Sequence, residues 1–250
     1  MKLNAALAAA ASLVAIGFGL ATLDRWLRRR RPHELAWTVA LTLFTLGGIS
    51  LWLADSHGWS APTFRLFFLT GAVLNVPWLG LGSVYLLLGH RWGDRIRWWL
   101  ILLSGLAVGV IISAPMRRPI AGKTLPKGSE VFGAGPRILA AVGSAIPATF
   151  IIVGALWSVY RILRHQSPTM NRAAQRSVIA PGRLALGNVL IAAGSIVLSA
   201  SGTVAGRLGE DRAFAVTLLL GIILLFAGFM VASTGTARRL TSVDLGQRAA

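Results

Sequence analysis

The sequence has no cysteine. Disulfides, thiolate-ligated zinc, iron–sulfur clusters and cysteine nucleophiles are therefore excluded, and the redox compartment is left unread. Acidic side chains are nearly as scarce, at eight Asp and Glu in 250 residues. No carboxylate pair at the edge of an apolar run resembles a metal–diphosphate site, which argues against prenyl or glycosyl transfer. Lys2, Lys123 and Lys127 are the only lysines, and none stands where a retinal Schiff base would need it. His33, His57, His90 and His165 all fall between the apolar runs, which removes a buried bis-imidazole haem site. No catalytic residue, metal site or cofactor is expected.

What the chain has is apolar length. Charged residues make up 13% of it and the mean hydropathy is +0.68, a composition of membrane proteins rather than soluble ones. A hydrocarbon layer about 30 Å thick needs about 20 apolar residues of helix. Seven runs approach or exceed that length without an Asp, Glu, Lys, Arg or His: 5–23, 35–54, 66–88, 98–114, 138–160, 184–205 and 213–234. Strands of a barrel would instead alternate over about ten residues. The expected fold is all-α: one membrane domain over residues 1–250, a bundle of seven transmembrane helices. The connections at 115–137 and 161–183 are too short and too polar for a further domain.

The net charge is +17. In a soluble protein that would point to nucleic acid, but here every charge lies in a short connection between apolar runs, so nucleic acid is not an expected partner. Anionic lipid head groups are. Sixteen Lys and Arg fall in one set of alternate connections and nine in the other. The positive-inside rule then places the N-terminus outside and the C-terminus in the cytoplasm. Trp26, Trp37, Trp92, Trp98 and Trp99 mark the inner boundary and Trp52 and Trp59 the outer one, as an aromatic belt requires. The first run, followed by Arg25, Trp26 and the tract Arg28, Arg29, Arg30 and Arg31, reads as an uncleaved signal anchor in a plasma membrane of bacterial type. That arginine tract fixes topology and is the candidate contact for anionic lipid.

Helices associate in a bilayer through small residues and interhelical hydrogen bonds. Gly47 with Gly48, Gly105 with Gly109, Gly202 with Gly206 and Gly221 with Gly228 are the expected packing surfaces, within the chain or toward a protein partner or second copy. Ser195, Ser199 and Thr203 recur every fourth residue on one face. Their hydroxyls either bond the carbonyl a turn earlier or wall a pocket. Asp55, His57 and Ser60 lie close in sequence, but a short interfacial loop seldom supplies the geometry of a nucleophilic triad, and a solvated loop is expected.

With no ionisable group in any run, polar function at membrane depth falls to neutral groups. Asn75, Pro77 and Trp78 stand near the midpoint of the third run, where proline frees a backbone carbonyl and an amide needs a partner. This region is either a helix-packing node or the floor of a cavity. Asn75, Thr149 and Ser195, each about halfway through its run, are expected to converge, and with Pro77, Trp78 and Ser199 they form the candidate intramembrane pocket.

From residue 28 to about 100 the pattern resembles the seven-span N-terminal sensory regions of some bacterial histidine kinases. The likeness rests on the Arg-rich first interior connection, a second span closing on Ser50, Leu51, Trp52, Leu53, Ala54 and Asp55, and a third with central Pro77 and Trp78 before Tyr85 and a basic connection. It implies a sensory membrane domain. Only the tail 235–250 follows the last run, so signalling would pass to a separate partner. The expected function is a non-enzymatic, stand-alone sensor-like or accessory membrane subunit; the alternative is a small transporter or channel for a neutral or anionic solute or lipid.

Overall fold

The structure is a computed structural model that describes residues 3–120, 122–164, 181–208 and 211–247. The uncharged runs become helices because a helix satisfies every backbone N–H and C=O within one segment. In chain order these are α1 (Leu3–Arg29), α2 (Pro32–His57), α3 (Ala61–Leu88), α4 (His90–Ser113), the single turn α5 (Gly128–Val131), α6 (Ala134–Arg164), α7 (Pro181–Leu208) and α8 (Asp211–Gln247). There is no strand among the described residues. Among the described residues six helices are long and apolar enough to cross a membrane, and α7 contributes the shorter apolar stretch Val189–Ala200. The protein is accordingly an all-helical, multi-pass type of chain.

Breaks fall where the backbone chemistry demands them. The α1 helix stops where Arg30 adopts a positive φ of 50°, and Pro32 opens α2 from the first helical position, where its missing N–H costs nothing. The Ser60 side chain caps α3 by accepting from the Thr63 N–H. The third run begins five residues earlier than the apolar count, at Ala61, and so takes Arg65 into the helix. The Arg65 guanidinium reaches across to donate to the carbonyls of Ile111 (2.7 Å), Ile112 and Ala114 (2.9 Å). These are orphan acceptors at the C-terminus of α4, where the helix dipole favours a cation.

Close backbone approach sets the pairings. The α7–α8 interface is the most extensive in the bundle. A Cβ on Gly194 would lie 2.9 Å from the Gly221 carbonyl, and one on Gly228 2.7 Å from the Gly187 carbonyl. Gly47 meets Gly71 and Gly48 meets Ser12 in the same way, joining α2 to α3 and α1. Gly105 and Gly109 differ: nothing lies within 4 Å of either. They face outward on α4, which carries exposed Trp98, Leu102, Leu106 and Ile112 beside them. Gly202 and Gly206 belong to side-chain positions outside those described. Apolar side chains thus cover the outside of the bundle as well as its interior, as expected where the surrounding solvent is lipid.

Candidate functional site

The α3 helix is interrupted at its centre. Phe68–Leu74 winds as a π-helix, closed by the Asn75 N–H on the Thr70 carbonyl five residues back. Pro77 follows and has no N–H to return to the preceding turn. The neighbouring α6 takes up the slack: Ser144 Oγ donates to the Ala72 carbonyl at 2.7 Å. Gly143 comes so near that a Cβ there would stand 3.1 Å from the Val73 carbonyl. A π-turn followed by proline is a recognised cause of local helix distortion, and such turns concentrate at functional sites.

Beside this interruption lies a cavity of about 740 Å³, within the range of small-molecule sites. Five of the long helices contribute to it. It exists because the residues facing it are small: Gly47, Gly71, Ala72, Ala145, Ala148 and Ser195 are all in the lining. A Cβ at Gly71 would meet nothing within 4 Å. Phenylalanines 44, 64, 67, 68 and 214 supply apolar wall. One end is covered by the 115–133 connection, whose Leu125, Pro126, Lys127, Gly128 and Ser129 join the lining. That connection is clamped down by Trp59 N–H to Gly122 O (2.8 Å), by Lys123 Nζ to Ser56 O (2.6 Å), and by Phe132 packed on Phe64 and Phe68.

The other end is blind. The lining stops at Leu79 on α3 and Ile151 on α6. Beyond them Gly80 abuts Pro147, Gly82 lies against the Trp37 indole, and Gly93 lies against the Tyr85 ring. Tyr85 also donates to Asp94 at 2.8 Å. Bulky side chains set against glycines therefore close the bundle toward the end that carries Arg28 to Arg31.

Asn75, Ser195 and Ser199 line this cavity together, from α3 and α7. Ser195 is 5% exposed and its hydroxyl donates to the Ile191 carbonyl at 2.8 Å, the helix-internal arrangement. Among the described residues nothing hydrogen-bonds to the side-chain carboxamide of Asn75, which stands at the cavity wall at mid-helix. Pro77 and Trp78 turn elsewhere. Pro77 is buried beside Gly143, and Trp78 Nε1 donates to Ser104 Oγ on α4 at 3.2 Å. Thr149 is exposed and does not line the cavity. It follows the lining residue Ala148 by one position, about 100° round the helix. Equal depth in the chain does not make two side chains converge.

Outside the cavity, Ser60 is occupied as a helix cap and Asp55 Oδ2 is buried without a partner beside Lys123, Asn4 and Trp59. Glu34, one residue outside the second uncharged run, is 4% exposed, with Oε1 3.6 Å from His33 and Oε2 unpaired. Arg28 is held by Asp24 at 2.8 Å, and Arg28 to Arg31 are all exposed at one end of the bundle. No group of three or more metal-ligating side chains occurs among the described residues.

Sequence reasoning missed Ser144, Arg65 and the covering connection. Pro77 announced that carbonyls would be freed, but nothing local to α6 said which hydroxyl would answer them. No protein-family model, curated protein or solved structure matches the chain.

Proposed function

We propose that this is a seven-span plasma-membrane protein, N-terminus outside and C-terminus cytoplasmic, that acts as a non-enzymatic sensor-like or accessory subunit holding an apolar ligand in its central cavity. The observation that carries the reading is the unpartnered Asn75 amide in the wall of a blind cavity. The Asn75 side chain is half-buried and open to the cavity; an occupant that covered it without a hydrogen bond would leave it unpaired at a cost of about 1–3 kcal/mol, so a molecule that supplies that bond is favoured. Positive-inside counting puts the 115–133 connection and the cavity on the outer side. A signal would then run from the outer half through α3, where the π-turn and Pro77 interrupt the regular helix. The resemblance of residues 28–100 to sensory membrane domains points the same way.

Carriage of a solute is the second reading, favoured by the same discontinuity in α3, since transporters build sites from broken helices. The two separate in one experiment. Proteoliposomes loaded with a panel of neutral and anionic solutes are expected to hold their gradients whether or not the protein is present. The protein purified from native membranes is expected to carry a defined partner protein. Solute flux that depends on the protein and falls in Asn75→Leu would establish transport instead.

A further inference from the structure

The cavity has three chemically distinct zones. Its wall is phenylalanine and leucine; its covered end carries Lys127 and Ser129; its depth carries Asn75. No Asp or Glu is among the described residues of the lining, and the connection that supplies Lys127 holds four cations against the single Glu130. An acidic group is therefore favoured at the covered end and nowhere else in the cavity. The polar zones are also at a readable separation. Gly128 packs directly on the Phe68 ring, with a would-be Cβ 2.7 Å from it, which sets Lys127 near the level of Phe68. Asn75 is seven residues further along α3, a depth of about 10 Å at most, since the intervening π-turn rises less per residue than an α-helix. Lys127 and Ser129 are exposed at the covered end, and the exposed Ala141 and Ala145 of α6 with Ser199 of α7 put a further opening on the flank between those helices, on the side a lipid would approach.

We infer that the cavity takes a single-chain amphiphile from the adjoining leaflet, with its acidic head at Lys127, its chain between the phenylalanines, and a hydroxyl or carbonyl oxygen near mid-chain on Asn75. The inference rests on the proposed reading of the cavity as a ligand site and names the ligand class. Lys127 contributes charge, the aromatic wall contributes desolvation, and Asn75 selects an oxygenated chain over a plain one, because only the former satisfies its amide.

The test uses the full chain in phosphatidylcholine nanodiscs, with stearate, a hydroxystearate carrying its hydroxyl at mid-chain, and octadecanol as probes in calorimetric titrations. Hydroxystearate is expected to bind tightest and octadecanol weakest. Lys127→Gln is expected to weaken both acids roughly fivefold and leave octadecanol unchanged. Asn75→Leu is expected to erase a preference of roughly fivefold for hydroxystearate over stearate while leaving stearate as tight as before. Equal binding of acids and alcohol, an equal shift of all three by Lys127→Gln, or a preference that survives Asn75→Leu would each overturn the inference. If none of the probes binds but a molecule retained from native membrane is lost in Gly71→Leu, the ligand class is wrong and the cavity remains a binding site. If nothing is retained and Gly71→Leu changes nothing, both fail. Gly71→Leu is a fair control because Gly71 lines the cavity and a Cβ there would meet nothing within 4 Å; thermal unfolding of the variant checks that it is folded.

Discussion

The two halves of α3 are built from the same kinds of residue and pack in opposite ways. On the side of the 115–133 connection, Gly71 faces open space and its neighbours across the gap are alanine and serine. On the side of the arginine tract, Gly80 and Gly82 are filled against by Pro147 and the Trp37 indole. A glycine in a membrane helix thus has two meanings. Gly80 and Gly82, set against large partners, are sockets that let the bundle close; Gly71, where a Cβ would meet nothing within 4 Å, leaves a hollow. The difference lies in what stands opposite, and that decides which half can hold a ligand.

Substitutions on this one helix sharpen the contrast. Gly82→Leu drives a side chain into the Trp37 ring, and overpacking of this kind is expected to cost about 3 kcal/mol or more. Gly71→Leu, with nothing within reach, is expected to cost less than about 1 kcal/mol. Thermal unfolding of the detergent-solubilised protein measures both, and equal losses would break the comparison. Arg65→Ala removes the donor to three carbonyls at the end of α4. A loss of about 2 kcal/mol is expected, seen in the same unfolding assay together with faster hydrogen exchange confined to the last turn of α4.

The long helices were legible because charge is excluded from hydrocarbon so completely that uncharged runs delimit them. Their ends were less so. Arg65 looked like a loop cation, yet its guanidinium finds acceptors on another helix, which lets α3 begin at Ala61. Half of the site was legible for a similar reason: Asn75, Ser195 and Ser199 stand out as polar groups in apolar runs. Thr149 stood out equally and faces outward, and Gly105 with Gly109 looked like a packing seam and face open space. Rotation about a helix axis is fixed by partners elsewhere in the chain, and single-run spacing does not contain it. The cavity itself is a property of five helices at once.

Smaller effects probe the junction between the halves. Ser144→Ala leaves the Ala72 carbonyl without its hydroxyl donor. The expected cost is about 1 kcal/mol, with Ser144→Thr restoring most of it if the added methyl turns into the cavity. Smallest of all, Gly105→Leu on the open face of α4 is expected to stay within about 0.5 kcal/mol of the parent protein. A larger destabilisation would mean that this face is covered in the membrane.

The central claim is that the hollow half of α3 is a ligand site and the filled half is a seal. Native mass spectrometry of the protein released from its own membrane tests it most directly, comparing the parent chain with Gly71→Leu and Asn75→Leu. One bound amphiphile is expected on the parent chain, a sharply reduced bound fraction with Asn75→Leu, and none with Gly71→Leu although that variant remains folded. A ligand-free parent chain, or equal occupancy in all three proteins, would contradict it.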